Sequence, residues 1–162
     1  PIREDAAWGE IIRRALPAGV QASRGVCVRS QSVPQKRSIS DAEILVVGGR
    51  GLRREADLAL VRELAAALGG DWAVTRPLVE KGWAANERQI GLSGRTVRPK
   101  LIITCGVSGA IQFTSCMNAS EHIVAINTDA SAPIFDVAHI AITGDLYKIV
   151  PALTGLLKEA KA

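Results

Sequence analysis

Short apolar runs recur along the chain and are separated by longer segments that carry a helical period. Four of these runs predict strands: residues 44–47, 101–104, 123–126 and 140–142. Continuous apolar runs of this length are typical of strands that are buried on both faces of a parallel sheet. A shorter run at residues 72–74 predicts one more strand, whereas residues 86–94 have the composition of a polar loop.

The segments between the strands predict helices. Apolar residues spaced three and four apart mark an amphipathic helix at residues 58–68, and Gly69 follows it as a helix-ending residue. A second helix is expected at residues 108–117. The last helix is expected over residues 146–160, with a kink or a break at Pro151, which lacks a backbone N–H.

The order of these elements predicts the fold class. Strands that alternate with helices form a parallel sheet covered on both faces, so we expect an α/β protein with a three-layer, doubly wound, Rossmann-like sheet. Residues 41–162 hold all of this pattern. Residues 1–40 predict only a short helix at residues 8–16 and a strand or hairpin at residues 20–33. We interpret them as a basic N-terminal extension or the remnant of a preceding domain.

Charge separates the same two parts of the chain. The 162 residues carry a formal net charge of +4, and 7 of the 20 basic residues but only 3 of the 16 acidic residues lie in residues 1–40. The alkaline isoelectric point of about 9.3 therefore comes from the N-terminal part. That part has neither a recognisable nucleic-acid-binding motif nor interleaved aromatic residues, so we expect no nucleic-acid partner.

Composition argues against several other classes of protein. No apolar run approaches the roughly 18 residues of a membrane-spanning helix, so we expect no membrane insertion. Cys27, Cys105 and Cys116 are widely spaced, which argues against a disulfide scaffold or a zinc site and favours a reducing compartment. His122 and His139 have no Cys or acidic ligand at a useful spacing, so no metal site is expected. We expect a cytoplasmic protein of bacterial type.

Glycines and polar residues follow four of the predicted strands. They are GGRG at residues 48–51, GVSG at residues 106–109, Asn127 with Asp129, and Gly144 with Asp145. Ligands of an open parallel sheet bind outside the carboxyl ends of its strands. Helix N-termini after the glycines would present free N–H groups to a phosphate, and Asn127 and Asp145 would reach ribose hydroxyls. The pattern therefore predicts a dinucleotide site.

The same residues have plainer explanations, and the sequence leaves these open. Glycines are common in tight turns, Ser108 and Thr143 are ordinary N-cap residues, and Asp145 suits the positive end of a helix dipole. Neither glycine segment has the G-x-G-x-x-G spacing of an NAD site. No pairing of a nucleophile with a base is evident, so no catalytic residue is assigned.

Six motifs follow one another in a characteristic order and spacing. They are VVGGRGL at residues 46–52, IGLSG at 90–94, GVSGAIQ at 106–112, IVAIN at 123–127, APIF at 132–135 and GDLYKIVP at 144–151. Through them, residues 40–162 resemble the C-terminal FAD-binding domain of the electron transfer flavoprotein alpha subunit. The resemblance implies a DHS-like NAD/FAD-binding fold for residues 41–162, with FAD as its cofactor.

The resemblance also implies which residues meet FAD, motif by motif. Along the cofactor it implies Arg50 and Thr75, with the Arg76 guanidinium against the flavin ring. The ring is implied to face Ile90, Gly91, Leu92 and Ser93, with the Ser93 hydroxyl near N5. Pyrophosphate and ribityl are implied to rest on a helix N-terminus formed by Ser108, Gly109, Ala110, Ile111 and Gln112. The adenosine end is implied to be held by Asn127, Asp145 and Leu146.

Two positions depart from the family pattern. Phe113 stands where the family usually has His, and Leu92 stands where it usually has Gln ahead of the hydroxyl residue. Both replacements remove polar contacts to the flavin ring and leave the phosphate and adenosine contacts intact. Nucleotide binding is therefore better supported than family-like redox tuning.

The resemblance implies an electron carrier that passes single electrons from a dehydrogenase donor to a redox acceptor. A beta-type electron transfer flavoprotein subunit is the implied partner, which would cover the other side of the flavin in a heterodimer. A degenerate module that binds FAD or another nucleotide without electron transfer is the alternative, and Phe113 and Leu92 favour it. An enzyme of similar fold that acts on NAD or another nucleotide is a third hypothesis, against which the missing acid–base pair weighs.

Overall fold

The computed structural model describes residues 13–15 and 38–161. The chain divides into two compact units, Pro1–Pro34 and Gln35–Ala162. The helix and the strand predicted within residues 1–40 fall almost wholly outside the described residues, so they and the boundary at residue 40 stay predictions. The fold described below is that of the second unit.

Six parallel strands form one sheet in the order β3-β2-β1-β4-β5-β6. They are β1 (Ile44–Gly48), β2 (Asp71–Thr75), β3 (Gln89–Ile90), β4 (Leu101–Cys105), β5 (His122–Asn127) and β6 (Ile140–Thr143). The chain builds outward from β1 on one side and then returns to build outward on the other. This is the strand order of a doubly wound dinucleotide-binding sheet, so the predicted fold class is confirmed.

The strand register brings several loops to one edge of the sheet. Gly48, the last residue of β1, pairs with Val74 of β2 and with Cys105 of β4. Parallel strands in this register end at the same level, so the loops that follow β1, β2 and β4 lie side by side. Such a crevice beyond the carboxyl ends is where ligands bind in open α/β sheets.

Helices cover both faces of the sheet. They are α1 (Leu58–Leu68), α2 (Arg76–Glu80), α3 (Ile111–Thr114) and α4 (Leu146–Glu159). Val46 of β1 is buried in a cluster with α1, α2 and α4, whereas Leu45 and Val47 are buried on the other face with α3 and the short 3-10 helix Pro133–Asp136. Within residues 13–15 and 38–161, no helix is both long enough and apolar enough to cross a bilayer.

The helix predicted at residues 58–68 is confirmed to the residue. Val61 and Leu64 are buried, as their spacing predicts. Gly69 ends the helix in the left-handed conformation, with φ of 75°, which glycine adopts without steric cost. The last helix is also confirmed, but it runs unbroken through Pro151, so the predicted break does not occur.

Two sequence predictions on the ligand side of the sheet are wrong. Within residues 108–117, where one helix was expected, only Ile111–Thr114 are helical. The helix cannot begin earlier because Gly109 has φ of 89° and Ala110 has ψ of 142°, and neither conformation is helical. The loop expected at residues 86–94 contains β3, a two-residue strand that pairs with Val74 and Thr75 at the edge of the sheet.

Candidate functional site

A cavity of about 670 Å³ lies beyond the carboxyl ends of β1, β2, β3 and β4. Most of the predicted site residues line it: Arg50, Thr75, Arg76, Ile90, Gly91, Leu92, Ser93, Ser108, Ala110, Gln112 and Phe113. Pro77, Gln89 and Val107 also line it and were not predicted. A cavity of this size, with apolar walls and a few polar groups, is typical of a small-molecule or cofactor site.

Backbone contacts fix the loop that follows β1. The N–H groups of Gly49 and Gly51 donate to the carbonyls of Cys105 and Gly106, at 2.9 Å each. A Cβ on Gly49 would lie 2.4 Å from the Gly106 oxygen, so only glycine allows the loops after β1 and β4 to approach this closely. Arg50, between the two glycines, is exposed at the cavity. After Gly51 the chain runs on to residue 58 before α1 begins, so this turn does not present the N-terminus of that helix.

The outer wall of the cavity is the loop that follows β3. The N–H of Arg95 donates to the Gln89 carbonyl at 2.7 Å, which folds the loop back on itself. The N–H of Leu92 donates to the Gln112 carbonyl at 3.1 Å and ties the loop to α3. The Leu92 side chain is 71% exposed at the open edge of the cavity, and Ser93 lies beside it on the cavity wall.

Arg76 begins α2 directly after β2 and lines the cavity. Its ε N–H donates to Glu80 one turn later, at 2.7 Å, and both side chains are exposed. A guanidinium has further N–H donors that this contact leaves to point elsewhere. The predicted flavin-facing arginine is therefore at the cavity, with a carboxylate beside it.

Phe113 forms an apolar part of the cavity wall and is only 5% exposed. Its ring also belongs to the core cluster on the α3 face of the sheet, together with Val107 and Met117. A residue held in this way offers the ligand a flat apolar surface and no hydrogen bond.

Five predicted residues do not line the cavity. Gly109 is buried within the loop after β4, against Ile134. Ile111 points to solvent with 79% exposure, and the Leu146 side chain is buried in the core. The Asn127 amide donates to the Val107 carbonyl at 2.8 Å and accepts from the Asp129 N–H at 3.1 Å. Asp145 is the N-cap of α4 and accepts from the Tyr147 N–H at 3.0 Å.

One structural expectation at this site is wrong, because no helix begins at Ser108 or Gly109. α3 begins at Ile111 and is four residues long, so Ser108 and Gly109 precede it in an irregular loop. A helix this short has only a small dipole, and its free N–H groups are those of a single turn. Ser108, Ala110 and Gln112 still line the cavity, and they do so from the loop and the first turn.

A hydrogen-bonded network next to the β1 loop was not predicted. The Tyr147 hydroxyl donates to Asp57 at 2.6 Å and accepts from the Arg53 N–H at 2.8 Å. The Arg54 N–H also donates to Asp57, at 2.9 Å. The hydrogen bond from Tyr147 lowers the pKa of the Asp57 carboxyl, while burial, followed by that same bond, raises the pKa of Tyr147. The network ties the segment after the β1 loop to the start of α4.

Gln89 is the buried cavity residue that the sequence analysis missed most clearly. Its side chain is 3% exposed, lines the cavity and donates from Nε2 to the Ser93 hydroxyl at 2.9 Å. The residue directly precedes the IGLSG motif, and that position was the one available signal. Its contact with Ser93 exists only because the loop folds back, which a linear pattern does not reveal.

Within the described part of the chain, nothing indicates a metal site or a reactive thiol. No group of His, Cys, Asp and Glu suited to a metal ion occurs within residues 13–15 and 38–161. Cys105 and Cys116 are buried and unpaired with each other. Burial raises the pKa of the Cys105 thiol to about 12, so this thiol stays protonated and unreactive.

Comparison with known proteins gives a consistent result. Residues 38–118 match the family model described as the electron transfer flavoprotein FAD-binding domain. The chain is 42% identical over 158 residues to the lactate dehydrogenase (NAD(+),ferredoxin) subunit LctC of Acetobacterium woodii, covering 98% of this chain and 38% of that protein. It is 44% identical over 164 residues to the electron transfer flavoprotein subunit alpha of Thermoanaerobacterium thermosaccharolyticum, covering 99% and 49%.

A shorter match, 50% identical over 123 residues, is to protein FixB of Azotobacter vinelandii, and it covers 76% of this chain and 34% of FixB. The chain thus spans less than half the length of each of these three relatives. The three matches and the family model share the part of the chain that holds the cavity.

Proposed function

Because the chain belongs to the electron transfer flavoprotein alpha-subunit family, we propose that it is the FAD-binding part of a carrier that passes single electrons. FAD is the cofactor of the matched domain. The electrons would come from a dehydrogenase and pass to a redox acceptor. A beta-type subunit would complete the carrier as its partner. We propose the cytoplasm as the location of the chain, because the two cysteines that the structure describes, Cys105 and Cys116, are free.

The chemistry of the cavity wall is the observation that carries this proposal. Ile90, Val107 and Phe113 give the apolar surface that an aromatic ring system needs. Arg50 and Arg76 lie exposed at the same cavity and provide positive charge for a pyrophosphate and for a reduced ring. Hydroxyls of Thr75, Ser93 and Ser108 supply neutral hydrogen bonds. This combination fits FAD, which is aromatic at one end, anionic in the middle and rich in hydroxyls.

Bound FAD supplies reversible one-electron chemistry, and the chain supplies its binding and electrostatics. Arg76 would stabilise negative charge at the ring from the first turn of α2, where it lines the cavity. Phe113 and Ile90 would keep water from the inner side of the ring. Ser93 would supply a hydrogen bond at the ring edge, and Thr75 a further hydroxyl along the cofactor.

Exposed apolar side chains at the open edge of the cavity favour a partner that covers it. Leu92 is 71% exposed, and the loop that carries it is held to α3 at Gln112, next to Ile111, which is 79% exposed. Apolar side chains at an open cofactor site favour burial by a second subunit, and exclusion of oxygen and water from the ring requires a cover. A beta-type subunit would provide it.

The first experiment is the visible absorption spectrum of the purified chain, with and without added FAD, alone and together with a beta-type subunit. We expect a flavin spectrum and release of FAD on heating. A reductive titration should then resolve two separate one-electron potentials. Binding of FAD with a single two-electron step would favour the nucleotide-binding module without electron transfer, in line with Phe113 and Leu92. If the chain binds FAD neither alone nor together with a beta-type subunit, the proposal is overturned.

A further inference from the structure

Gln89 holds the outer wall of the cavity at two points. Its carbonyl accepts from the Arg95 N–H at 2.7 Å, and its side-chain Nε2 donates to the Ser93 hydroxyl at 2.9 Å. A Cβ on Gly94 would lie 2.4 Å from that carbonyl, so the chain passes directly over Gln89. Gln89 is buried, with 3% of its surface exposed, whereas Ser93 is an exposed residue of the same wall.

The hydrogen bond between the two side chains decides what the Ser93 hydroxyl offers a ligand. A serine hydroxyl has one proton and two lone pairs. When an amide N–H donates to one lone pair, the proton of the hydroxyl must point away from that amide. Both side chains line the cavity, so the direction left to the proton includes the space that the ligand occupies. Ser93 then acts as a donor toward the cavity.

We propose that Gln89 is a positioning residue that makes Ser93 a hydrogen-bond donor to the bound cofactor. The proposal rests on the proposed function, since it takes FAD as the ligand. It predicts that the atom of the flavin ring beside Ser93 is an acceptor, such as an unprotonated ring nitrogen or a carbonyl oxygen. An atom that carries a proton at that place would be disfavoured, so Gln89 would bias both affinity and potential through Ser93.

Two substitutions of Gln89 would change the orientation of the Ser93 hydroxyl in different ways. Glutamate in place of Gln89 has only acceptor atoms when it is ionised. Ser93 would then donate to the carboxylate and present a lone pair to the cavity. Leucine in place of Gln89 would remove the contact, keep a similar volume and leave the hydroxyl free to rotate. The two variants separate loss of orientation from its reversal.

The test is a double-mutant cycle on FAD affinity and on the midpoint potential of bound FAD. Gln89→Leu is measured in the native chain, in the Ser93→Ala chain and in the Ser93→Thr chain. We expect Gln89→Leu to weaken FAD binding about two- to tenfold in the native and Ser93→Thr chains, the range of one neutral hydrogen bond. In the Ser93→Ala chain it should have no effect. Gln89→Glu should weaken binding more than Gln89→Leu, but only where residue 93 keeps its hydroxyl.

Equal effects of Gln89→Leu with and without the Ser93 hydroxyl would overturn the proposal, because Gln89 would then act on the fold alone. Thermal unfolding of each variant without FAD checks that the fold survives. If Gln89→Leu does not fold, the smaller change Gln89→Met takes its place in the same cycle. Failure of the native chain to bind FAD would instead count against the proposed function, so the two failures are distinguishable.

Discussion

Two groups of polar residues follow the strands at the same edge of the sheet, and they behave differently. The first, which we term the cavity rim, is Arg50, Arg76, Ser93, Ser108 and Gln112, whose side chains are exposed at the cavity. The second, which we term the β5–β6 brace, is Asn127, Asp129, Ser131 and Asp145. In the brace, side-chain oxygens accept from backbone N–H groups of the β5–β6 loop or of the first turn of α4.

The comparison shows that some polar residues at strand ends already have hydrogen-bond partners within the protein. Asp129 accepts from both the backbone and the hydroxyl of Ser131, and these hydrogen bonds lower the pKa of its carboxyl. The brace thus carries anions that the protein itself satisfies. The rim carries Arg50 and Arg76, so the site's positive charge lies where a ligand's negative charge would be placed.

The largest effect is expected at Gly109, the residue after Ser108 of the cavity rim. Gly109 has φ of 89°, and a Cβ there would lie 2.2 Å from the Ile134 nitrogen, whose N–H donates to the Ser108 carbonyl. Gly109→Ala should destabilise the protein by about 2–4 kcal/mol, since strain and a backbone clash add. Chemical denaturation measures it. Gly82→Ala is the matched control, because Gly82 has φ of 75° and open space around it. Equal losses in both variants would show that the contact with Ile134 is unimportant.

The next effect tests the rim without disturbing the fold. Arg76→Ala should leave FAD bound and lower its one-electron potential by about 40–130 mV, which corresponds to roughly 1–3 kcal/mol for a charged hydrogen-bond donor. Potentiometric titration of the bound cofactor measures it. Glu80→Gln should shift the potential in the opposite direction, because it removes the carboxylate that accepts from Arg76. An unchanged potential in Arg76→Ala would remove this residue from the ring end of the site.

A smaller effect distinguishes brace from ligand contact at Asn127. Asn127→Ala removes the hydrogen bonds to the Val107 carbonyl and from the Asp129 N–H. We expect a loss of about 1–2 kcal/mol in the free energy of unfolding of the FAD-free protein. Urea denaturation without FAD gives this value. If stability is unchanged while FAD binding weakens strongly, Asn127 is a ligand contact, as the family resemblance implies, and the brace description fails for it.

The smallest effect concerns the tie between the β1 loop and α4. Tyr147→Phe keeps the ring under the Arg53 guanidinium and removes the hydroxyl that donates to Asp57. The melting temperature should fall by about 3 °C at neutral pH. Because this hydrogen bond lowers the folded-state pKa of Asp57, its contribution is present above the unfolded pKa and is lost as pH falls through the folded pKa. Melting curves of both proteins should therefore converge in acid, and a constant difference down to the lowest pH would contradict the assignment.

The centre of the sheet was predictable because burial on both faces leaves a simple mark. The apolar runs of β1, β4 and β5 match the observed strands, and α1 matches because its period and Gly69 agree. β3 was not predictable, since its two residues lie in a polar segment and form a strand only through pairing with β2. The length of α3 was overestimated because the apolar period does not reveal the non-helical backbone of Gly109 and Ala110, after which the helix begins only at Ile111.

The site divides in the same way. Residues after strands could be placed at one edge from topology alone, and most of them line the cavity. Which of them are free for a ligand depends on contacts across the fold, such as the one from Asn127 to Val107. The role of Gln89 also depends on such a contact. Sequence patterns specify positions along strands, whereas hydrogen-bond partners are settled by tertiary packing.

The short length of β3 has a consequence for how the cavity is entered. Two register pairs, Val74 with Gln89 and Thr75 with Ile90, join β3 to the sheet, whereas five pairs join β1 to β4. Parts of a protein with few backbone hydrogen bonds open locally at low free-energy cost, while the centre stays closed. In kinetic terms, we expect the outer wall to open before the centre of the sheet and to close after it. An elongated ligand would thus enter from the β3 edge of the sheet, when β3 and its loop separate briefly from β2, without unfolding of the domain.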